Sequence, residues 1–258
     1  MPVYFKEFGK GFPVILLHGL CETHEIWNDF SSQLATLTNT RVICPDLPGF
    51  GESEILPKGF SIHDVGLCML EWLQSLQITK CVLVGHSLGG YVALAMGQAK
   101  PDIAGGLVLF NSTAYADTEE KRENRDKVIA FIEQHGVQPY VDTFVPGLFH
   151  QKAHTSMGFV HAVASQTSKA TLLGYLEAMR DRPDRTNILR SFQEKIAILA
   201  GQFDTILPVG TLKEQAEMAE IPCFVLKRTG HMAMFEEPQE SLKSMNSFIA
   251  GVRHPQTG

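Results

Sequence analysis

The sequence predicts an α/β fold, a mostly parallel sheet with helices on both faces and an inserted helical cap. Three observations carry this expectation. Short, nearly continuous apolar runs alternate with stretches of helical period, which is how strands buried on both faces read. One long stretch, from about Ser112 to Leu189, interrupts the alternation with helical patterning only. Finally, 258 residues with 44% apolar and 19% charged content suit one compact domain with a large core.

Five runs have the length and composition of buried strands: Pro13 to Leu17, Arg41 to Cys44, Cys81 to Val84, Leu107 to Phe110 and Ile196 to Leu199. A weaker sixth lies at Cys223 to Leu226. Between the second and third, Ile62, Val65, Met69, Trp72, Leu73 and Leu76 recur at spacings that give SIHDVGLCMLEWLQSL one apolar helical face. Ser61 followed by Asp64 is a capping-box-like start. Leu88 to Ala99 predicts a helix that Pro101 stops, and a last helix runs from about Gln239 to Ala250. The stretch at 112–189 is rich in Phe and Met and follows the fourth run, at the carboxyl end of a strand, where open parallel sheets bind ligands. We expect it to be a cap set between core segments 1–111 and 190–258.

Composition excludes several functions. No apolar stretch approaches the roughly 20 residues a bilayer requires, so no membrane partner is expected. MPVYFKEFGK has charges and a Gly where a secretory signal needs an apolar block. The net charge is -6 and the main basic cluster, Lys121 to Lys127, is mixed with acids, which argues against nucleic acid as a partner. Cys21, Cys44, Cys68, Cys81 and Cys223 form no CxxC pair, are odd in number and sit mostly in apolar runs. They read as buried reduced thiols in a cytoplasmic protein.

The strongest chemical signal is Gly85-His86-Ser87-Leu88-Gly89, directly after the strand run CVLV and directly before a helix. A serine on so sharp a turn has strained backbone, and small residues two positions either side let the chain segments pass. The turn lifts the hydroxyl clear of the sheet and aims the helix amino end at developing negative charge. A serine hydroxyl is a weak nucleophile at neutral pH, so a base and an orienting acid are required. Asp204 follows the fifth run and His231 follows the sixth, so both stand at strand carboxyl ends and can converge on Ser87. Were Asp204 not the acid, Asp117 at the start of the cap would be the next candidate. Leu16-Leu17-His18-Gly19-Leu20 closes the first run with a His-Gly turn, and the oxyanion donors are assigned to the amides of Leu20 and Leu88. His18 and His86 read as structural, with His86 directed away from the nucleophile.

Ser87 in GHSLGG, Asp204, His231 and the His-Gly turn together resemble the α/β-hydrolase superfamily. DLPGFGES from Asp46 to Ser53 is similar to the family loop after the second run, and GHMAMFEEPQE resembles its ending around the catalytic histidine. The resemblance implies an eight-stranded, mostly parallel sheet, with Val3 to Phe8 as one candidate amino-terminal strand, and a structural role for Asp46. Serine at the nucleophile position speaks against haloalkane dehalogenases and epoxide hydrolases, which place Asp there. Carbon-carbon bond hydrolases usually carry Asn before the serine and Trp after the histidine, where this chain has His86 and Met232. Arg180, Arg182 and Arg185 either hold an acidic substrate or form a solvated helix end.

His150, His154 and His161 include a pair at metal-site spacing, but no Glu or Cys completes a ligand set, so neither metal nor cofactor is expected. Phe144, Phe149 and Phe159, with Met232, are candidate pocket residues. The aromatic and Met residues of the cap can equally be its core. The expected activity is that of a serine hydrolase (carboxylesterase-like) acting on small, mostly apolar esters through an acyl-enzyme. Thioesterase, lactonase and carbon-carbon hydrolase activities are the alternatives of the same fold, and a slow-turnover small-molecule receptor is the alternative of another class.

Overall fold

A computed structural model describes residues 1–253. In chain order its elements are β1 (Phe5–Phe8), β2 (Phe12–Leu17), α1 (Asn28–Thr38), β3 (Thr40–Pro45), α2 (Ile62–Ser75), β4 (Cys81–His86), α3 (Leu88–Ala99) and β5 (Ala104–Phe110). There follow α4 (Glu119–His135), α5 (Val137–Leu148), α6 (Met157–Ala164), α7 (Lys169–Arg180) and α8 (Thr186–Ser191). The chain closes with β6 (Ile196–Gly201), α9 (Val209–Ala219), β7 (Cys223–Leu226), α10 (Ala233–Glu236) and α11 (Pro238–Arg253). The strands form a 7-stranded sheet in the order β1-β3-β2-β4-β5-β6-β7, parallel except for β1. All six apolar runs are strands. The eighth strand implied by the resemblance is absent from the described residues. β1, which alternates Phe5 and Phe8 with charged Lys6 and Glu7, takes the edge and pairs only with β3.

The helices form for local reasons that then meet in packing. Ser61 and Asp64 make the reciprocal capping box of α2, whose Ile62, Val65, Met69, Trp72 and Leu73 are buried. α3 is buried from Leu88 to Gly97, which only a helix of small and apolar residues allows. α1 has no capping side chain and a mixed pattern, yet Phe30, Leu34 and Ala35 are buried. α1 packs on α11 and α2 on α3. Because the strand order reverses direction at β2, right-handed crossovers put these pairs on opposite faces. Among the described residues no helix is long and apolar enough to cross a membrane.

The register lines up the strand ends that matter. Leu17 pairs with Gly85, His86 with Phe110, Phe110 with Leu199, and Gly201 with Leu226. The loops after β2, β4, β5, β6 and β7 therefore leave the same edge of the sheet. Helices α4 to α8 intervene between β5 and β6. α4 packs on α5 and α7, and α5 on α6. The hydroxyls of Thr171 and Tyr175 in α7 donate to the carbonyls of Gly49 and Pro48, each at 2.8 Å. The expected cap boundary at 189/190 falls inside α8, and residues 254–258 of the second core segment lie outside the described residues.

Candidate active site

Ser87 stands between β4 and α3 at φ 49°, ψ −113°, a left-handed φ that a non-glycine residue adopts only under local constraint. The constraint is visible. A Cβ on Gly85 would collide with Gly89 and Gly90, and one on Gly89 with the Leu17 carbonyl, so β2, β4 and α3 approach this closely only through glycine. Ser87 N–H donates to the Phe110 carbonyl at 3.1 Å, and Ser112 Oγ donates to the Ser87 carbonyl at 2.7 Å. These bonds fix the turn and leave the Ser87 hydroxyl half-buried at the sheet edge.

Asp204 and His231 meet. His231 Nδ1 lies 2.7 Å from Asp204 Oδ2. A carboxylate only accepts, so Nδ1 carries the proton and the lone pair is left on Nε2. Asp204 accepts three further hydrogen bonds, from Asn111 Nδ2 at 2.9 Å and from the amides of Ile206 and Leu207 at 2.8 and 3.0 Å. Burial pushes its carboxyl up, but the His231 imidazole and these donors outweigh burial and hold it below the ordinary carboxylate range. The Leu20 and Leu88 amides donate to no acceptor among the described residues, and both residues are buried beside the Ser87 turn.

His18, His24 and His86 are occupied. His18 accepts from the Leu47 amide through Nε2 at 2.9 Å and donates through Nδ1 to the Gly19 carbonyl at 2.8 Å. Burial holds it below the usual imidazole value, so it is a neutral connector. His86 lies with Nδ1 2.9 Å from Glu22 Oε2 and Nε2 3.0 Å from the His231 carbonyl. Asp46 accepts from His24 N and Nδ1 at 2.7 and 2.8 Å and from the Glu52 amide at 3.1 Å.

Arg182 and Arg185 sit differently from what their sequence context suggests. They are neither a solvated helix end nor free for a substrate. Arg182 is buried, paired with Asp117 at 2.8 Å and stacked 4.0 Å over the Tyr91 ring, while buried Arg185 donates to Gln98 at 2.9 Å. Arg180, at the surface, is held by Asp126 and Asp181. Asp117, the alternative acid, is taken by Arg182 and Arg125. The cap histidines have separate partners: His150 stacks on Phe203, His154 on Phe149, and His161 pairs with Asp142.

Of the candidate pocket residues, Phe149 and Phe159 share one neighbour, Phe235. Phe149 and Met232 are buried, Phe149 between His154 and Phe235. Phe144 is half-buried and stacked on Tyr140 at 5.1 Å. Phe159 is 41% exposed and lines, with Phe30, Met234 and Phe235, a cavity of about 520 Å³ whose lining includes neither Ser87 nor His231.

Such a sheet edge, with serine on a strained strand-to-helix turn and an Asp-His pair two strands away, is compared readily with known proteins. A family model described as alpha/beta hydrolase family matches residues 14–243. The chain belongs to the alpha/beta hydrolase family. A malate-bound structure of a thermophilic esterase from Thermogutta terrifontis superposes on this hydrolase with a TM-score of 0.90 at 27% identity, covering 97% of this chain and 93% of that one. The 2-succinyl-6-hydroxy-2,4-cyclohexadiene-1-carboxylate synthase of Salmonella arizonae is 28% identical over 249 residues, 93% of this chain and 95% of that protein. The 2-hydroxy-6-oxo-2,4-heptadienoate hydrolase of Pseudomonas putida is 26% identical over 261 residues, covering 95% and 91%.

Sequence reasoning missed three residues of the hydrolase's site. Asn111, at φ 46°, donates to Asp204; Glu22 pairs with His86; and Glu236 accepts from the Gly230 amide at 2.7 Å and the Gln151 amide at 2.9 Å. A carboxylate in otherwise buried surroundings was the available signal for Glu22, since charge is rarely buried without a partner.

Proposed function

We propose that this hydrolase is a carboxylesterase acting on small, mostly apolar esters, with Ser87, His231 and Asp204 as its triad and residues 112–189 as its cap. The observation that carries the reading is the 2.7 Å contact of Asp204 with His231 Nδ1, which leaves a basic lone pair on Nε2 at the sheet edge bearing the strained Ser87. His231 Nε2 takes the Ser87 proton as Oγ bonds to the ester carbonyl carbon. The resulting oxyanion is held by the Leu20 and Leu88 amides. Collapse breaks the bond to the alkoxy group, which leaves with the proton from His231, and water repeats the cycle to free the acid. Asp204 keeps the imidazole in the productive tautomer and stabilises its charged form.

The two curated relatives are named for a synthase and a dienoate hydrolase, and the names describe acids. An acid substrate would need a cation beside Ser87. The engagement of Arg180, Arg182 and Arg185 with other partners favours uncharged esters instead. Cysteine usage supports a reducing compartment, with Cys21, Cys44, Cys68 and Cys81 buried and all five thiols free.

The test is a panel of 4-nitrophenyl esters of increasing acyl length, with fluorophosphonate labelling followed by peptide mapping. Sustained release and a label on Ser87 are expected. A single turnover would favour a receptor, and a label elsewhere would overturn the nucleophile.

A further inference from the structure

His86 and Glu22 form a buried unit on which three loops of the candidate site close. His86 immediately precedes Ser87. Its Nε2 reaches the main-chain carbonyl of His231 at 3.0 Å and its Nδ1 reaches Glu22 Oε2 at 2.9 Å. The same carboxylate oxygen accepts the Gly19 amide at 2.5 Å, one residue before the proposed oxyanion donor Leu20. Both side chains are shut off from water, with His86 at 0% and Glu22 at 2% exposure.

Hydrogen-bond capacity leaves two forms, an ionised pair or a neutral one with a proton on Glu22 Oε2. A main-chain carbonyl only accepts, so His86 Nε2 carries a proton. Glu22 Oε2, receiving the Gly19 N–H, also faces His86 Nδ1, so an ionised carboxylate requires a second proton on the ring. Burial alone would raise the Glu22 carboxyl and lower the His86 imidazole, yet each holds the other on its charged side. Among the described residues no other side chain hydrogen-bonds to the pair, though Asp204 and His18 add to its field. Trp27 and Phe110 meet the His86 ring edge to face, and the His231 ring lies 4.8 Å away. The turn has been shaped around the pair as well. A Cβ on Gly19 would stand 2.7 Å from Glu22 Oε2 and 2.9 Å from His86 Nδ1, so only glycine lets the three meet.

We propose that the Glu22–His86 ion pair is a positioning device that sets the oxyanion turn, the nucleophile turn and the His231 loop in register with one another. The pair touches neither ester nor attacking atom. It acts by holding His231 through its carbonyl and Leu20 through Gly19. A displacement of about 1 Å at reacting atoms costs on the order of 10²-fold in rate, which is the scale of effect available to such a brace. The inference rests on the Ser87 reading.

The experiment compares wild type, Glu22→Gln, Glu22→Ala, Glu22→Asp and Ser87→Ala with 4-nitrophenyl acetate as probe, active sites being counted by fluorophosphonate. Glutamine can set its one carbonyl oxygen where Oε2 stands and accept from both the Gly19 N–H and a protonated His86 Nδ1, so it keeps both bonds without the carboxylate charge. The expected result is a fall in kcat per labelled site of about 10- to 100-fold in Glu22→Ala, with KM within about threefold, and recovery of most of it in Glu22→Gln. If alanine prevents folding, Glu22→Asp is the measured variant: it keeps the charge, is one methylene short of bridging both groups, and is expected to lose kcat. Folded Ala or Asp variants with wild-type kcat per site would overturn the proposal, as would a Gln variant no better than Ala. Labelling that survives in Ser87→Ala would instead overturn the nucleophile assignment.

Discussion

Two histidine-carboxylate pairs lie within one ring's contact of each other, and they are built for opposite ends. His231 with Asp204 and His86 with Glu22 have similar contacts, 2.7 and 2.9 Å, and all four residues are buried. The difference is the second ring nitrogen. That of His86 is spent on the His231 carbonyl, whereas that of His231 keeps its lone pair. The carboxylates differ too. Asp204 accepts from Asn111 and from the amides of Ile206 and Leu207 besides His231, while Glu22 accepts from Gly19 and shares the same oxygen with His86. A buried histidine beside an acid is therefore a base or a brace according to what its far nitrogen meets.

The largest expected effect falls on the catalytic side of this comparison. Ser87→Ala should lower kcat by roughly 10⁴- to 10⁶-fold and abolish fluorophosphonate labelling, with the melting temperature little changed. Asp204→Asn keeps the shape but invites the wrong tautomer of His231, and about 10⁴-fold in kcat should be lost. If Asp204→Asn turned over normally, the two pairs would have to exchange roles.

These two assignments were open to sequence reasoning because each lies just after an apolar run, where residue order alone gives position. The sheet was legible for the same reason: β2 to β7 are contiguous apolar runs. Long-range partners were not. Glu22 and His86 are 64 residues apart, and Arg182 sits in RDRPDR, a string that reads as solvated surface until Asp117 and Tyr91 close over it. α1 was passed over because its buried face includes Ser31 and Thr38, which blur the apolar period.

Stability against pH separates the pairs further. Asp204 is held below its ordinary value, so its contribution is complete above about pH 4 and is lost as pH falls through the folded value. His86 is held above its ordinary value, so its contribution is complete below about pH 6.5 and is lost as pH rises through the folded value. Melting curves taken across pH should show Asp204→Asn flattening the acid limb and Glu22→Gln flattening both limbs, because Glu22 is itself held below its ordinary value and His86 above its own. An alkaline limb left unchanged in Glu22→Gln would refute the assignment.

Above the pairs, the cap aromatics should divide by burial. Phe149→Ala should destabilise by about 3–5 kcal/mol, as loss of a buried ring does. Phe159→Ala should cost less than Phe149→Ala, on the order of 1 kcal/mol, because the ring is 41% exposed. For half-buried Phe144, alanine should shift acyl-length preference by about 1–3 kcal/mol in kcat/KM. A flat length profile would remove Phe144 from the pocket. The smallest effect expected is none: EDTA should leave turnover unchanged, given that His150, His154 and His161 have separate partners. Loss of turnover restored by Zn²⁺ would overturn that.

Glu236 joins the stretch after α5 to the loop before His231. One of its oxygens holds the Gly230 amide and the other the Gln151 amide, while His231 N–H donates to the Leu148 carbonyl at 2.8 Å. The stretch that ends α5 is thus fastened to the loop that carries the base. Swinging that stretch outward to admit a guest would slacken the imidazole at the moment it is needed. Access to Ser87 from that side would therefore fall to side chains turning aside rather than to this stretch swinging away.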